Sequence, residues 1–327
     1  MTDQPAPTSP PMLSRISDLV HRHRAATSIL FLIILPLAMP YQALATNIII
    51  YGLFALGFNL VFGYTGVLSF GHAAFFGVGA YGTGIMIVQF GAPWFLAIVI
   101  GIVVSGVTAM VIGALAIRTR GIYFAMVTLA LAQCVYYIIY QMSDWTGGEN
   151  GLTGVSVPTV NLGFVELNLL DPTTKYYFVL AFVAVAIFIF SRVLASPFGA
   201  VLEAIRENED RARACGYDVQ LTKWVAFVVS GLLCGLAGSL YAIHLSLVPI
   251  ETLNYHMSGQ VVMIALLGGM GTFFGPFVGA IVFLLLEDVV TSMTSHWPLV
   301  IGLVFMACVL FFPRGIWGSI LGWGRRK

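Results

Sequence analysis

Long runs of apolar residues follow one another along almost the whole chain, separated by short polar or glycine-rich breaks. Each run is close to the roughly 20 residues that an α-helix needs to cross the hydrocarbon core of a bilayer. The runs are continuously apolar and lack the two-residue alternation of a lipid-facing strand, which excludes a β-barrel. The pattern therefore predicts an all-α membrane protein, a polytopic helical bundle of about ten transmembrane helices. The predicted spans are 26–43, 46–64, 67–90, 93–117, 121–142, 175–195, 223–245, 258–270, 274–291 and 297–313. The first has a basic flank and Ala43-Leu44-Ala45 behind it, which imitates a cleavable signal peptide. A second span follows at once, so the pair is read as a stepped first hairpin.

The polar breaks assign sides. Arg118 and Arg120 follow the fourth span, a charged stretch follows the sixth, and Arg325, Arg326 and Lys327 follow the last. Short loops rich in Lys and Arg stay in the cytoplasm, so an even number of spans must separate each pair of these sites. That parity decides how Ser258–Val290 is divided. One long helix would leave the C-terminus outside, whereas a break at Gly268–Pro276, where glycines crowd around Thr272, restores the sign. Both termini are then cytoplasmic. The expected organisation is a disordered cytoplasmic tail at 1–25, a transmembrane domain at 26–320 and a basic cytoplasmic tail at 321–327. Within the domain, 196–222 is a cytoplasmic loop and 143–174 a periplasmic one, whose TGGENGLTG reads as turn chemistry and not a phosphate cradle.

Composition narrows the function. Hydrophobic residues make up 59% of the chain and charged ones 9%, against about 25% charged in an ordinary soluble domain. A net charge of +1 suggests no nucleic-acid partner. No P-loop, HExxH or GxSxG sequence occurs, and the six histidines are scattered, so neither a catalytic set nor a cofactor site is expected. The four cysteines have no paired spacing and read as packing residues. Uphill transport would then need a partner or an ion gradient. Glu287-Asp288 is the one acidic pair within a span, at its outer end, which argues against a proton-coupled carrier.

The stretch Ser196–Lys223 carries nine of the chain's 15 basic and 14 acidic residues. Ser196 and Pro197 form a helix start signal, and Gly216 a stop. Phe198, Val201, Leu202, Ile205, Ala212 and Cys215 recur at helical spacing and predict an apolar stripe. Arg206, Glu207, Asp210, Arg211 and Arg213 fall opposite, with Glu207–Arg211 and Glu209–Arg213 as i,i+4 pairs. A helix lying on headgroups should be rich in Lys and Arg, whereas a face of mixed sign suits docking into a protein groove.

Four segments carry a family resemblance: 57–82 (GFNLVFGYTGVLSFGHAAFFGVGAYG), 202–242 (LEAIRENEDRARACGYDVQ and the span after it), 266–280 (LLGGMGTFFGPFVGA) and 311–318 (FFPRGIWG). Together they resemble the permease subunits of bacterial branched-chain amino acid ABC importers, of the LivM type, over roughly 45–320. The resemblance implies a heteromeric importer of the bacterial inner membrane: this chain, a LivH-like sister permease, two ATPase subunits and a periplasmic substrate-binding protein. It implies that the loop at 196–216 docks on the ATPase through Glu203, Ala204, Arg206, Glu207, Asn208, Glu209, Arg211, Ala212 and Gly216, with Cys215 a departure from the small aliphatic residue expected there. It does not separate branched-chain amino acids from urea or short amides, and an ion-coupled carrier is the competing class. For Ser69, His72, Gly77 and Gly79, two readings stand: close helix packing, or a lining of the translocation path. Asn59, Gln133 and Tyr137, polar residues within spans, carry the same pair of readings.

Overall fold

In lipid a backbone can satisfy its N–H and C=O groups only within its own helix or against protein, so the apolar runs become helices. The computed structural model describes residues 24–157, 159–161, 166–294, 296–311 and 315–324; the tail at 1–23 and the terminal Arg325, Arg326 and Lys327 lie outside the described residues. The helices are α1 (Arg24–Ala38), α2 (Gln42–Thr65), α3 (His72–Val88), α4 (Trp94–Ala116), α5 (Ile122–Gln141), α6 (Pro172–Ala195), α7 (Pro197–Glu207), α8 (Glu209–Ala214), α9 (Val219–Leu245), α10 (Tyr255–Gly268), α11 (Gly275–Met293), α12 (Trp297–Phe311) and α13 (Gly315–Gly324), with a single turn at Ser143–Thr146. Among the described residues six of these, α2, α4, α5, α6, α9 and α11, are long and apolar enough to cross a membrane, with shorter apolar helices at Ala25–Ala38, His72–Val88 and Trp297–Cys308. The protein is an all-α, multi-pass membrane protein.

Helix α2 is the axis, buried along nearly its whole length and surrounded by α6, α9, α10 and α11. The outer helices α4, α5 and α6 keep apolar side chains such as Val103, Met126 and Phe188 exposed, as a bundle solvated by lipid must. Helices α3, α4 and α9 approach closely through small residues. Ser105 Oγ shares its one proton between Phe75 O at 2.8 Å and Gly231 O at 2.9 Å, and Ser239 Oγ on α9 lies 3.2 Å from Gly79 O on α3. Small residues and hydroxyls are what hold helices together where no hydrophobic force acts between them.

Two spans depart from the predicted boundaries at glycine-rich breaks. The span expected at 67–90 is helical only from His72, and α3 has 17 residues. Gly66 takes φ 74° and ends α2, leaving the segment up to Gly71 irregular. Its backbone groups are met by side chains: Phe70 N donates to Thr128 Oγ1 at 3.1 Å, and Ser258 Oγ donates to Phe70 O at 2.7 Å while accepting from Ala73 N at 3.0 Å. The span expected at 258–270 begins at Tyr255 and stops at Gly268. Gly269 and Gly271 follow at φ 116° and 69°, conformations that end a helix and that glycine alone adopts freely.

The C-terminal ends of α2, α4, α6 and α10 gather with the N-terminal ends of α3, α5, α9 and α11, where α7 and α8 also lie. At the opposite end the 143–171 connection forms two small antiparallel pairs, β1 (Leu152–Thr153) with β4 (Leu247–Val248) and β2 (Thr159–Asn161) with β3 (Glu166–Asn168). Its glycines Gly147, Gly148, Gly151 and Gly154 all have positive φ, consistent with turn chemistry. Asp171 closes the loop by accepting from Thr174 N at 3.0 Å at the start of α6.

Candidate functional site

The charged stretch does not form one helix. Asn208 sits in extended backbone, φ −161° and ψ 107°, and divides it into α7 and α8. Its side chain accepts from Arg211 N at 2.9 Å and caps α8. The signal was present in the sequence, since Asn before Glu209 and Asp210 is an N-cap followed by acids in the first turn. The break corrects one predicted ion pair. Glu207 and Arg211 lie on either side of Asn208 and are not among the ion pairs of the described residues, whereas Arg213 Nη2 and Glu209 Oε1 pair at 3.1 Å within α8. Ser196 precedes α7 with Pro197 at its first position, but its hydroxyl donates to Val193 O at 2.7 Å and does not cap α7.

The apolar stripe faces the bundle. Leu202, Ile205 and Ala212 are buried, Phe198 and Val201 are half-buried, and Cys215 is exposed, so the stripe stops one position earlier than predicted. Cys134 is exposed too, while Cys234 is buried against α2; all four cysteines are free thiols. Glu203, Ala204, Glu207, Asn208, Asp210, Arg211 and Gly216 are exposed.

Two of the charged residues predicted to face a partner are held by the protein itself. Glu209 lies between Lys223 Nζ at 2.7 Å, Arg213 at 3.1 Å and Arg120 at 3.9 Å, and so joins α8 to the start of α9 and to the α4–α5 turn. Partial burial pushes its carboxyl upward, but Lys223, Arg120 and Arg213 together hold it below its ordinary value of 4.5. A carboxylate whose pKa is lowered by folding contributes stability above its unfolded pKa and loses that contribution as pH falls through the folded one. The stability gap between wild type and Glu209→Gln, measured by thermal melting in detergent, should be full at pH 7 and shrink below about pH 4.5.

Arg206 is exposed as a residue, but its guanidinium reaches back to the bundle. Its Nη1 donates to Gly63 O, in the last turn of α2. That turn has no basic residue of its own, and its carbonyls lack helical partners and carry the negative end of the helix dipole. Four residues earlier, buried Asn59 grips the α10–α11 break: Nδ2 donates to Thr272 O at 3.0 Å and Oδ1 accepts from Gly271 N at 3.0 Å. A Cβ on Gly63 would lie 2.0 Å from Asn59 Oδ1, and one on Gly271 would lie 2.1 Å from Arg206 Nη1. Gly315, which opens α13, reaches the same break, where its Cβ would lie 2.4 Å from Gly269 Cα, and Trp317 packs on Phe274 with ring centres 5.2 Å apart. Asn59 and Gly63, Arg206, the Gly269–Phe274 turn and the start of α13 thus meet at one junction. Beside it opens a cavity of about 660 Å³, with Arg120, Arg206, Glu209 and Lys223 around Phe124 and Phe227.

A family model described as branched-chain amino acid transport system / permease component matches residues 41–312, from the start of α2 to the end of α12. The chain belongs to this permease family. It is 27% identical over 310 residues to the high-affinity branched-chain amino acid transport system permease protein LivM of Salmonella typhimurium, covering 87% of this chain and 73% of that one. Identity to the LivM of Escherichia coli is likewise 27%, over 311 residues and the same shares. The probable branched-chain amino acid transport permease protein LivH of Methanocaldococcus jannaschii is 25% identical over 294 residues, 84% of this chain and 90% of its own. Matches to both kinds of permease fit a component of a multi-subunit transporter that has a sister permease. No solved structure matches.

The permease's other singled-out residues lie deeper in the bundle. His72 is sealed among Phe58, Phe75 and Phe227. Ser230 Oγ gives its proton to Gly57 O at 2.6 Å, so the His72 Nε2–H must be the donor in their 2.9 Å contact. Ser69 is buried and accepts from Gly71 N at 3.1 Å. A Cβ on Gly79 would lie 2.3 Å from Gly235 O, and one on Gly77 would lie 2.4 Å from Leu253, so both glycines permit close packing. Tyr137 is 65% exposed on α5, and Gln133 Nε2, one turn before it, is buried without a partner among the described residues. The structure therefore gathers Ser69 and His72 near Asn59's helix and leaves Gln133 and Tyr137 on a separate face.

Proposed function

We propose that the protein is the permease subunit of a bacterial ABC importer that carries branched-chain amino acids across the inner membrane. Separate ATPase subunits supply the energy, a periplasmic binding protein delivers the solute, and a LivH-like sister permease completes the pathway. The observation that carries this reading is the α7–α8 pair. Its apolar stripe is buried on the bundle, and it presents Glu203, Glu207, Asp210 and Arg211 to solvent at one end. A face of mixed charge on a membrane bundle without a nucleotide-binding motif suits a protein that is driven from outside. Closure of the ATPases would push on these helices and change the side to which the pathway opens.

Ten spans with both termini in the cytoplasm accord with this arrangement. Arg120 pairs with Glu209 of the charged loop and Arg192 lies in the last turn of α6 just before that loop, which supports a single basic, cytoplasmic end. Proteoliposomes holding the permease, its sister, the ATPases and the binding protein should accumulate labelled leucine, isoleucine or valine only with ATP. Uptake by the permease alone under an ion gradient would identify a secondary carrier. A binding protein encoded beside it that holds urea and not amino acids would change the solute.

A further inference from the structure

We infer that Arg206 and Asn59 are positioning residues that link α7 to the break between α10 and α11, so that movement of α7 is delivered to that break. This inference rests on the importer reading above. Arg206 belongs to the stretch most exposed to a partner, yet its guanidinium is bonded to Gly63 O and stands against Gly271. Asn59, on the same face of α2 one turn away, holds both sides of Gly271–Thr272 through its amide. The two contacts make one continuous path: α7, Arg206, the end of α2, Asn59, the Gly269–Phe274 turn, then α11.

Three features make the path suited to transmission. The receiving segment is a turn and not a helix: Gly269 and Gly271 both have positive φ, and the Thr272 hydroxyl bonds only within the turn, to Gly269 O at 2.8 Å and from Gly275 N at 3.1 Å, so that Asn59 holds it from outside through Thr272 O and Gly271 N. The delivering helix has room, because the cavity of about 660 Å³ flanks Arg206 on its other side. The joint itself is tight, since no Cβ fits at Gly63 or Gly271 without striking Asn59 or Arg206. A glycine-rich turn, a rigid joint and free volume beside the lever together favour displacement of the turn over local deformation.

The test uses the complete importer. Arg206→Ala is expected to leave ATPase subunits co-purifying with the permease and ATP hydrolysis running, while uptake per ATP falls about tenfold, the effect of one lost hydrogen bond to a charged group. Arg206→Lys, which keeps the charge and a donor, should recover most of it, and Asn59→Ala should reproduce the defect. Spin labels at Glu203 and Met270 should keep their separation through the ATP cycle in wild type and lose that constancy in Arg206→Ala. If Arg206→Ala instead releases the ATPases as a docking-face substitution does, Arg206 is a partner contact and the inference is overturned. Unchanged uptake per ATP, or labels that move alike in both proteins, overturns it as well. Should Arg206→Ala fail to reach the membrane, the labels are read in Arg206→Lys and Asn59→Ala, and unaltered separation in both overturns it. If Glu207→Lys leaves ATPase binding intact while Arg206→Ala uncouples, the docking face has been misplaced but the link stands.

Discussion

Gly238→Leu should abolish recovery of folded permease from the membrane. Gly238 lies on α9 where it crosses α3, and a Cβ there would stand 1.8 Å from Phe76 O and 3.1 Å from Ala80 N. The obstacle is backbone, so no side chain can swing aside, and the two helices must separate. Separation would also part Gly79 from Gly235, and Ser239 from Gly79 O, bonded at 3.2 Å. Adding bulk to a packed interior costs about 1–3 kcal/mol even where neighbours can yield, and here the contact is between the central helices. Gly259→Ala on α10 is the control, since nothing lies within 4 Å of its Cβ. Size-exclusion profiles in mild detergent should show a normal peak for Gly259→Ala and aggregate or no protein for Gly238→Leu. A normal peak for both would mean that α3 and α9 are not closely packed.

Glu207→Lys should abolish transport without affecting the fold. Glu207 is exposed at the end of α7, and the break at Asn208 leaves it without the Arg211 partner that a continuous helix would supply. Reversing its charge therefore disturbs no ion pair among the described residues. Placed against a complementary groove, a reversed charge costs several kcal/mol, and each 1.4 kcal/mol is about tenfold in affinity. ATPase retention on permease-loaded membranes should fall at least tenfold, with the permease itself present at normal level. Normal uptake in this variant would remove α7 from the docking surface.

Much of this architecture is visible in the pattern of residues. Each predicted span contains a helix among the described residues, six of these helices being long and apolar enough to cross a membrane, and the glycine cluster at Gly268–Pro276 divides α10 from α11. The misses share a cause. The irregular stretch before His72 looks like apolar span, because Ser69, Gly71 and their neighbours differ little in polarity from residues inside helices. It is stabilised by Thr128 and Ser258, which are 58 and 185 residues from the groups they bond. Asn208, expected on the docking face, is exposed and also caps α8 through its side chain, which divides the stretch that the helical spacing reads as one helix.

The sequence by itself determined that this chain is a helical membrane permease, which segments form its apolar helices, and where its charge is concentrated. Those properties follow from local requirements, since each span must satisfy its own backbone in lipid and each charged stretch must stay in water. Only the tertiary structure decided what the charges do. Arg206 and Glu209 are indistinguishable from Glu203 and Glu207 on a helical projection, yet the first two are tied to other parts of the protein, while Glu203 and Glu207 are exposed and form no ion pair among the described residues. Arg206 meets Gly63 across 143 residues and Asn59 meets Gly271 across 212. No local period records such distances, because a hydrogen bond depends on which backbone groups folding leaves unpaired, and that is settled only when the helices have packed.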